Sequence, residues 1–192
     1  MSNYIYSVEG GPAKPTAIVA NTANTDALTG AQMSIDTVHH EVHEGMAYFA
    51  GFAASVLNAA NLDVLILTNA TKEVHYASEI NVGGACQLYI YEAPSNVTGG
   101  GAVTSWNKRR LGAASPPITV TSAPTVTSLS GANILVNGRL IPGGNSAQTR
   151  YGGNLRANTE WILKPNTKYL IRVTNASGGT IVIGWECEVY TP

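Results

Sequence analysis

The strongest constraint on this chain is its last apolar run, Ile181 to Tyr190. There Ile181, Ile183, Trp185, Cys187 and Val189 alternate with Val182, Gly184, Glu186 and Glu188. Successive side chains of a strand point to opposite faces, so a period of two marks a strand with one apolar face. Tyr169 to Thr174 reads as the strand before it, and Asn175 to Gly179 turns the chain between them. Further upstream, Glu160-Trp161-Ile162-Leu163 leads into Lys164-Pro165-Asn166-Thr167. Proline's fixed φ suits the early position of such a turn.

The same grammar runs through the middle of the chain. Leu62 to Thr68 is a short, nearly continuous apolar run, the length of a buried strand, and Asn69-Ala70-Thr71 follows it as a turn. Glu73 to Val82 and Cys86 to Tyr91 read as strands, and Gly83-Gly84 between them predicts an antiparallel hairpin. Asn137-Gly138 gives a second hairpin signal, between Ile134-Leu135-Val136 and Leu140-Ile141. Residues 94–131 form a Gly-, Ser-, Thr- and Pro-rich excursion, in which Thr119 to Val126 reads as an edge strand limited by prolines. Residues 34–56 fit two patterns. Val38, Val42, Met46 and Phe49 have helical spacing, whereas Val38, His40 and Val42, then Met46, Tyr48, Ala50 and Phe52, alternate. Gly45 and Gly51 each cost a helix interior about 1 kcal/mol relative to alanine, which favours strands with a bend at Gly45. Ala53 to Ala60 leaves room for a helical turn.

Residues 1–33 read as an extended N-terminal arm. Gly10-Gly11-Pro12 and Lys14-Pro15 interrupt regular structure, and Asn21 to Gly30 has little to bury. It is either a loose tail or a segment that reaches a neighbouring subunit. The predicted class is therefore all-β: an antiparallel β-sandwich or jelly roll over residues 34–192, preceded by that arm. A chain of 192 residues buries roughly 70% of its unfolded surface and needs no metal or disulfide to hold one core.

Charge and cysteine usage exclude several functions. Only 12% of residues are charged and the net charge is −1, so no basic footprint for nucleic acid is present. The same low charge gives weak repulsion between packed copies. Cys86 and Cys187 both alternate with apolar residues and read as buried free thiols, with a disulfide between them left open. Met1 to Tyr6 lacks the basic and apolar regions of a signal peptide. The longest apolar runs fall far short of the ~20 residues that span a bilayer. The expectation is a protein made and used without export or membrane anchoring.

Three of the four histidines lie in His39-His40-Glu41-Val42-His43-Glu44. The segment does not match the helical zinc-protease pattern, because His40 rather than a glutamate follows His39. On a strand, His39, Glu41 and His43 share a face at steps of roughly 7 Å, enough for a metal with a third ligand from elsewhere. His75 is the remaining histidine. A polar strand face in a subunit contact is the favoured reading, with titration below about pH 6.5 as an added property. No Gly-x-Ser-x-Gly elbow is present, and Gly99-Gly100-Gly101 lacks the helix and lysine of a phosphate loop. Trp106-Asn107-Lys108-Arg109-Arg110 joins an aromatic to three cations. It reads as a solvated loop anchored by Trp106, or as a contact for an acidic surface or a sugar. No catalytic residue, cofactor or metal is expected. The candidate subunit contacts are His39, His40, Glu41, His43, Trp106, Lys108, Arg109 and Arg110.

Two stretches carry a family resemblance: His39 to Gly45 with Tyr48-Phe49, and Glu160 to Asn175. Tyr91-Glu92 and Asn107 to Arg110 add a similar loop between them, so that the likeness covers most of residues 38–190. In these residues the chain resembles the capsid decoration, or cement, proteins of tailed bacteriophages. It departs from them at Trp185-Glu186-Cys187-Glu188 and in the arm. The resemblance implies a β-sandwich or jelly-roll structural protein without enzymatic activity, made in the host cytoplasm and carried on the outer capsid surface of the virion. It implies the major capsid protein as partner and, with the preference of oligomers for closed symmetry, a homotrimer. No nucleic acid or membrane enters this reading. The alternative is a head- or tail-fibre module that binds a host surface glycan through Trp106, Tyr151 and Trp161.

Overall fold

The computed structural model describes residues 37–68, 71–111, 115–143, 151–152 and 160–191. The expected arm, residues 1–33, lies outside them. The described chain contains one helix, α1 (Thr37–Glu44), and strands β1 (Ala47–Val56), β2 (Asn61–Thr68), β3 (Val74–Val82), β4 (Cys86–Glu92), β5 (Asn96–Thr98), β6 (Gly101–Val103), β7 (Trp106–Asn107), β8 (Ile118–Ser122), β9 (Thr125–Ser128), β10 (Asn133–Ile141), β11 (Tyr151–Gly152), β12 (Trp161–Leu163), β13 (Lys168–Asn175) and β14 (Ile181–Tyr190).

Two antiparallel sheets pack face to face. The first runs β11-β3-β14-β1-β7, with β12 also on β3, and the second β10-β4-β13-β2-β8-β6. Successive strands β1, β2, β3 and β4 alternate between the sheets, as do β12, β13 and β14. The central orders β1-β14-β3-β12 and β2-β13-β4-β10 are those of a jelly roll, two Greek keys wound into one sandwich. The excursion between β4 and β10 extends both sheets on one side, β7 on β1 and β8 on β2.

The alternation in β14 does what its sequence predicts. Ile183, Trp185, Cys187 and Val189 enter a single core with Val64 and Ile66 of β2, Tyr76 and Ile80 of β3, and Ile171 and Val173 of β13. Each fully buried aliphatic side chain contributes about 1.5–3 kcal/mol relative to exposure. Trp185 is the largest fully buried side chain among the described residues and meets Phe52 at 5.9 Å between ring centroids. A smaller cluster lies on the outer face of the second sheet. There β5 and β9 pair as a strap, and Val97 seats on Leu65 and Leu170.

Several local expectations are corrected. His39 to Glu44 is helix, not strand. Gly45 lies at its end, with φ +78°, and not in its interior. The Gly45 amide donates to Val42 O at 3.1 Å and the Met46 amide to Glu41 O at 2.9 Å, the paired bonds of a Schellman cap. Ala53 to Ala60 forms no helical turn: β1 runs to Val56, and a turn closed by the Ala60 amide on Leu57 O follows. Gly83-Gly84 is a corner and not a hairpin, since β3 and β4 belong to opposite sheets. Val82 and Cys86 both face the core, one from each layer. Asn137-Gly138 makes no hairpin either. β10 is one strand with register shifts on both sides of Val136, and Gly138 sits at φ +65° within it. Its unbroken partner β4 turns the glycine into a bulge. Finally, Thr119 to Val126 is two strands, β8 in the second sheet and β9 in the strap, redirected at Ala123, φ +48°, and Pro124.

Candidate contact surface at the α1–β7 junction

The fold brings the two candidate stretches together. β7 pairs antiparallel with the start of β1, setting Trp106 opposite Phe49 and Asn107 opposite Tyr48. The Lys108 amide continues the ladder to Ala47 O at 2.9 Å. The basic cluster is thereby fixed against the end of α1. Asn107 Nδ2 donates to Gly45 O at 2.8 Å, and its Oδ1 accepts from the Arg109 amide at 2.8 Å. The Arg109 guanidinium donates to His43 O at 2.7 Å. A cation on the last carbonyls of a helix also meets the negative end of its dipole, an effect of about 0.3–1 kcal/mol. Lys108 pairs with Glu188 of β14, whose side chain is largely buried.

Trp106 does not anchor a loop. It lies in a strand and is 53% exposed, with the Arg110 guanidinium 5.1 Å above its ring. Phe49 beside it is 38% exposed and Leu111 is 96% exposed. The helix adds His40, whose Nδ1 lies 3.4 Å from Glu41 Oε1 and whose Nε2 lies 3.9 Å from Glu44 Oε1. The expected shared face of His39, Glu41 and His43 is overturned by the helix. Turning about 100° per residue, α1 separates Glu41 from a face common to positions 39 and 43. Glu41 is only 8% exposed. The side chain of His39 lies outside the described residues. His43 and residues Trp106 to Arg110 thus meet where β7 runs against the end of α1, and His40 lies one turn earlier on the helix.

His75 joins a different group. Its Nδ1 lies 2.7 Å from Glu160 Oε1, its ring stacks on Tyr190 at 4.6 Å, and the Tyr190 hydroxyl donates to the same Glu160 oxygen. These bonds hold the Glu160 carboxyl below its ordinary pKa, Tyr190 foremost, against the opposing effect of burial. Among the described residues, no cluster of three or more His, Cys, Asp or Glu is placed to hold a metal. Cys86 and Cys187 are free, buried and divided between the two sheets. Burial pushes their thiols up to about 11 and about 12.

Two polar clusters gave no sequence signal. Glu92 accepts from Lys164 Nζ at 2.8 Å, Tyr169 Oη at 3.1 Å and Asn133 Nδ2 at 3.2 Å. Arg172 makes a two-pronged pair with Asp63, both bonds at 2.7 Å. Of the aromatics named for a glycan site, Trp106 is exposed and Trp161 is partly buried against the core. The Tyr151 side chain lies outside the described residues. No family model and no curated protein matches this chain.

Proposed function

We propose that this protein is a non-catalytic decoration protein that cements the outer capsid of a tailed phage by bridging neighbouring subunits of the major capsid protein. The observation that carries the reading is the α1–β7 junction, where exposed Trp106, Phe49 and Leu111 lie beside Arg109 and Arg110. Tryptophan and arginine supply much of the binding energy at protein interfaces, and an aromatic–cation pair suits a partner that is apolar at its centre and acidic at its rim. The mechanism is mass action. A protein that binds the assembled shell and not its parts stabilises the shell by its binding free energy. A homotrimer would present the junction three times and match three-fold positions of a shell.

Capsids with and without the protein provide the test. Added protein raises the temperature at which the shells release their contents. The double variant W106A/R110E does not bind, while its own melting temperature is retained. Unchanged heat resistance of decorated and undecorated shells sinks the proposal. The glycan reading keeps Trp106 as its platform, but Arg110 already occupies one face of that ring. Glycan binding by the isolated protein that disappears in Trp106→Ala would favour it.

A further inference from the structure

A groove runs across the outer face of the second sheet, under the strap formed by β5 and its turn into β6. The strand register sets two rows on its floor: Thr119, Leu67 and Lys168 in one, and Thr121, Leu65 and Leu170 in the next. The groove holds about 390 Å³. Ligand sites commonly span roughly 300–1,000 Å³. Its roof is fixed in place. Val97 is fully buried on Leu65 and Leu170. Gly99 and Gly100 turn at φ +68° and +101°, and a Cβ on Gly100 would stand 2.6 Å from Ser122 O.

The polar groups in this groove are placed asymmetrically. Among the described residues, Lys168 is the one charged side chain lining it. Its ammonium donates to Val97 O at 3.0 Å, and among the described residues no carboxylate pairs with it. Two of its three N–H bonds are left for an occupant. At the other side of the leucine floor, Thr121 Oγ1 is buried without a hydrogen-bond partner. Lys168 and Thr121 come from strands flanking β2, so with strands about 4.8 Å apart they lie on the order of 10 Å from each other.

We propose that this groove binds a small amphipathic carboxylate. The carboxylate pairs with the Lys168 ammonium, and the alkyl chain lies along Leu67 and Leu65 toward Thr121. A cation at one end of an apolar trough selects an anion with an apolar tail over a neutral or cationic amphiphile. The groove shares no residue with the α1–β7 junction, so the inference stands apart from the capsid reading.

The full chain is titrated with octanoate and with octanol by calorimetry and by methyl NMR. We expect octanoate to saturate and to shift the methyls of Leu65, Leu67 and Val97. Octanol should bind about tenfold more weakly, about 1.4 kcal/mol. Lys168→Gln should lose the preference for the acid, and Lys168→Arg should keep it. Equal binding of octanoate and octanol, failure of octanoate to saturate at millimolar concentration, or shifts confined to other methyls overturns the proposal. If Lys168→Gln melts early, the acid–alcohol comparison on the unaltered chain still decides.

Discussion

Glu92 shows how much a single side chain carries in this sandwich. It is 8% exposed and accepts bonds from Lys164, Tyr169 and Asn133. The Lys164 bond leads in holding its carboxyl below the ordinary 4.5, while burial pushes the other way. A folded pKa below the unfolded one contributes stability that is present above about pH 4.5 and lost as pH falls through the folded value. Urea midpoints should therefore drop between about pH 5 and about pH 3, and Glu92→Gln should make that drop shallower. An unaltered acid limb in the variant would remove Glu92 from the explanation. The Asp63–Arg172 pair is mostly buried, at 12% and 19% side-chain exposure. Arg172→Ala strands a carboxylate and should cost about 3 kcal/mol in chemical unfolding. The two thiols should stay unreactive toward a disulfide reagent until the protein unfolds, because both are buried with raised pKa values. The sequence shows which residues are titratable but not these partnerships. Glu92 and Lys164 are 72 positions apart, and Asp63 and Arg172 are 109 apart. No local pattern links residues that meet only when strands from distant segments pair.

At the scale of elements, strand identity was legible and strand placement was not. Period-two alternation marks β14 and β13 because one face of each is buried. It cannot say which sheet a strand joins, and so Gly83-Gly84, a corner between layers, looked like a hairpin. Helix α1 departs from its strand expectation for a related reason. Val38 and Val42 have helical spacing, and Gly45, which would penalise a helix interior, is instead the cap. Two of the glycines at positive φ, Gly45 and Gly100, separate conformational from steric cost. A Cβ on Gly45 would meet nothing closer than Arg109 Cδ at 3.6 Å, whereas one on Gly100 would meet Ser122 O at 2.6 Å. Gly45→Ala should cost about 1 kcal/mol and Gly45→Asn less, since asparagine tolerates the left-handed region. Gly100→Ala should cost more than Gly45→Ala, because β8 itself must shift. Equal melting temperatures for the two alanine variants would contradict this ordering. Arg109→Ala removes the cation from the last turn of α1, and hydrogen exchange at residues 40–45 should quicken while the β14 amides stay protected.

At the scale of the whole molecule, one pattern explains both the architecture and the surface. Strands that alternate between layers need corners, and the long excursion between β4 and β10 uses that freedom. It straps one sheet with β5 and β9, widens both sheets, and carries Trp106 to Arg110 to the end of α1. Nothing in the two stretches taken separately announces that they meet. The pairing of β7 with β1 spans more than half the distance from Phe49 to the β10 strand and is set by tertiary topology alone. The class of fold was readable from alternation and turn residues, whereas the contact surface needed the assembled sandwich. The capsid reading rests on that surface being buried in an assembly. Electron cryomicroscopy of tailed-phage particles incubated with the protein tests it most directly. We predict density for the sandwich on the outer shell, with Trp106 and Arg110 against the major capsid protein. Density elsewhere on the particle, or a shell-bound sandwich with Trp106 facing solvent, would contradict it.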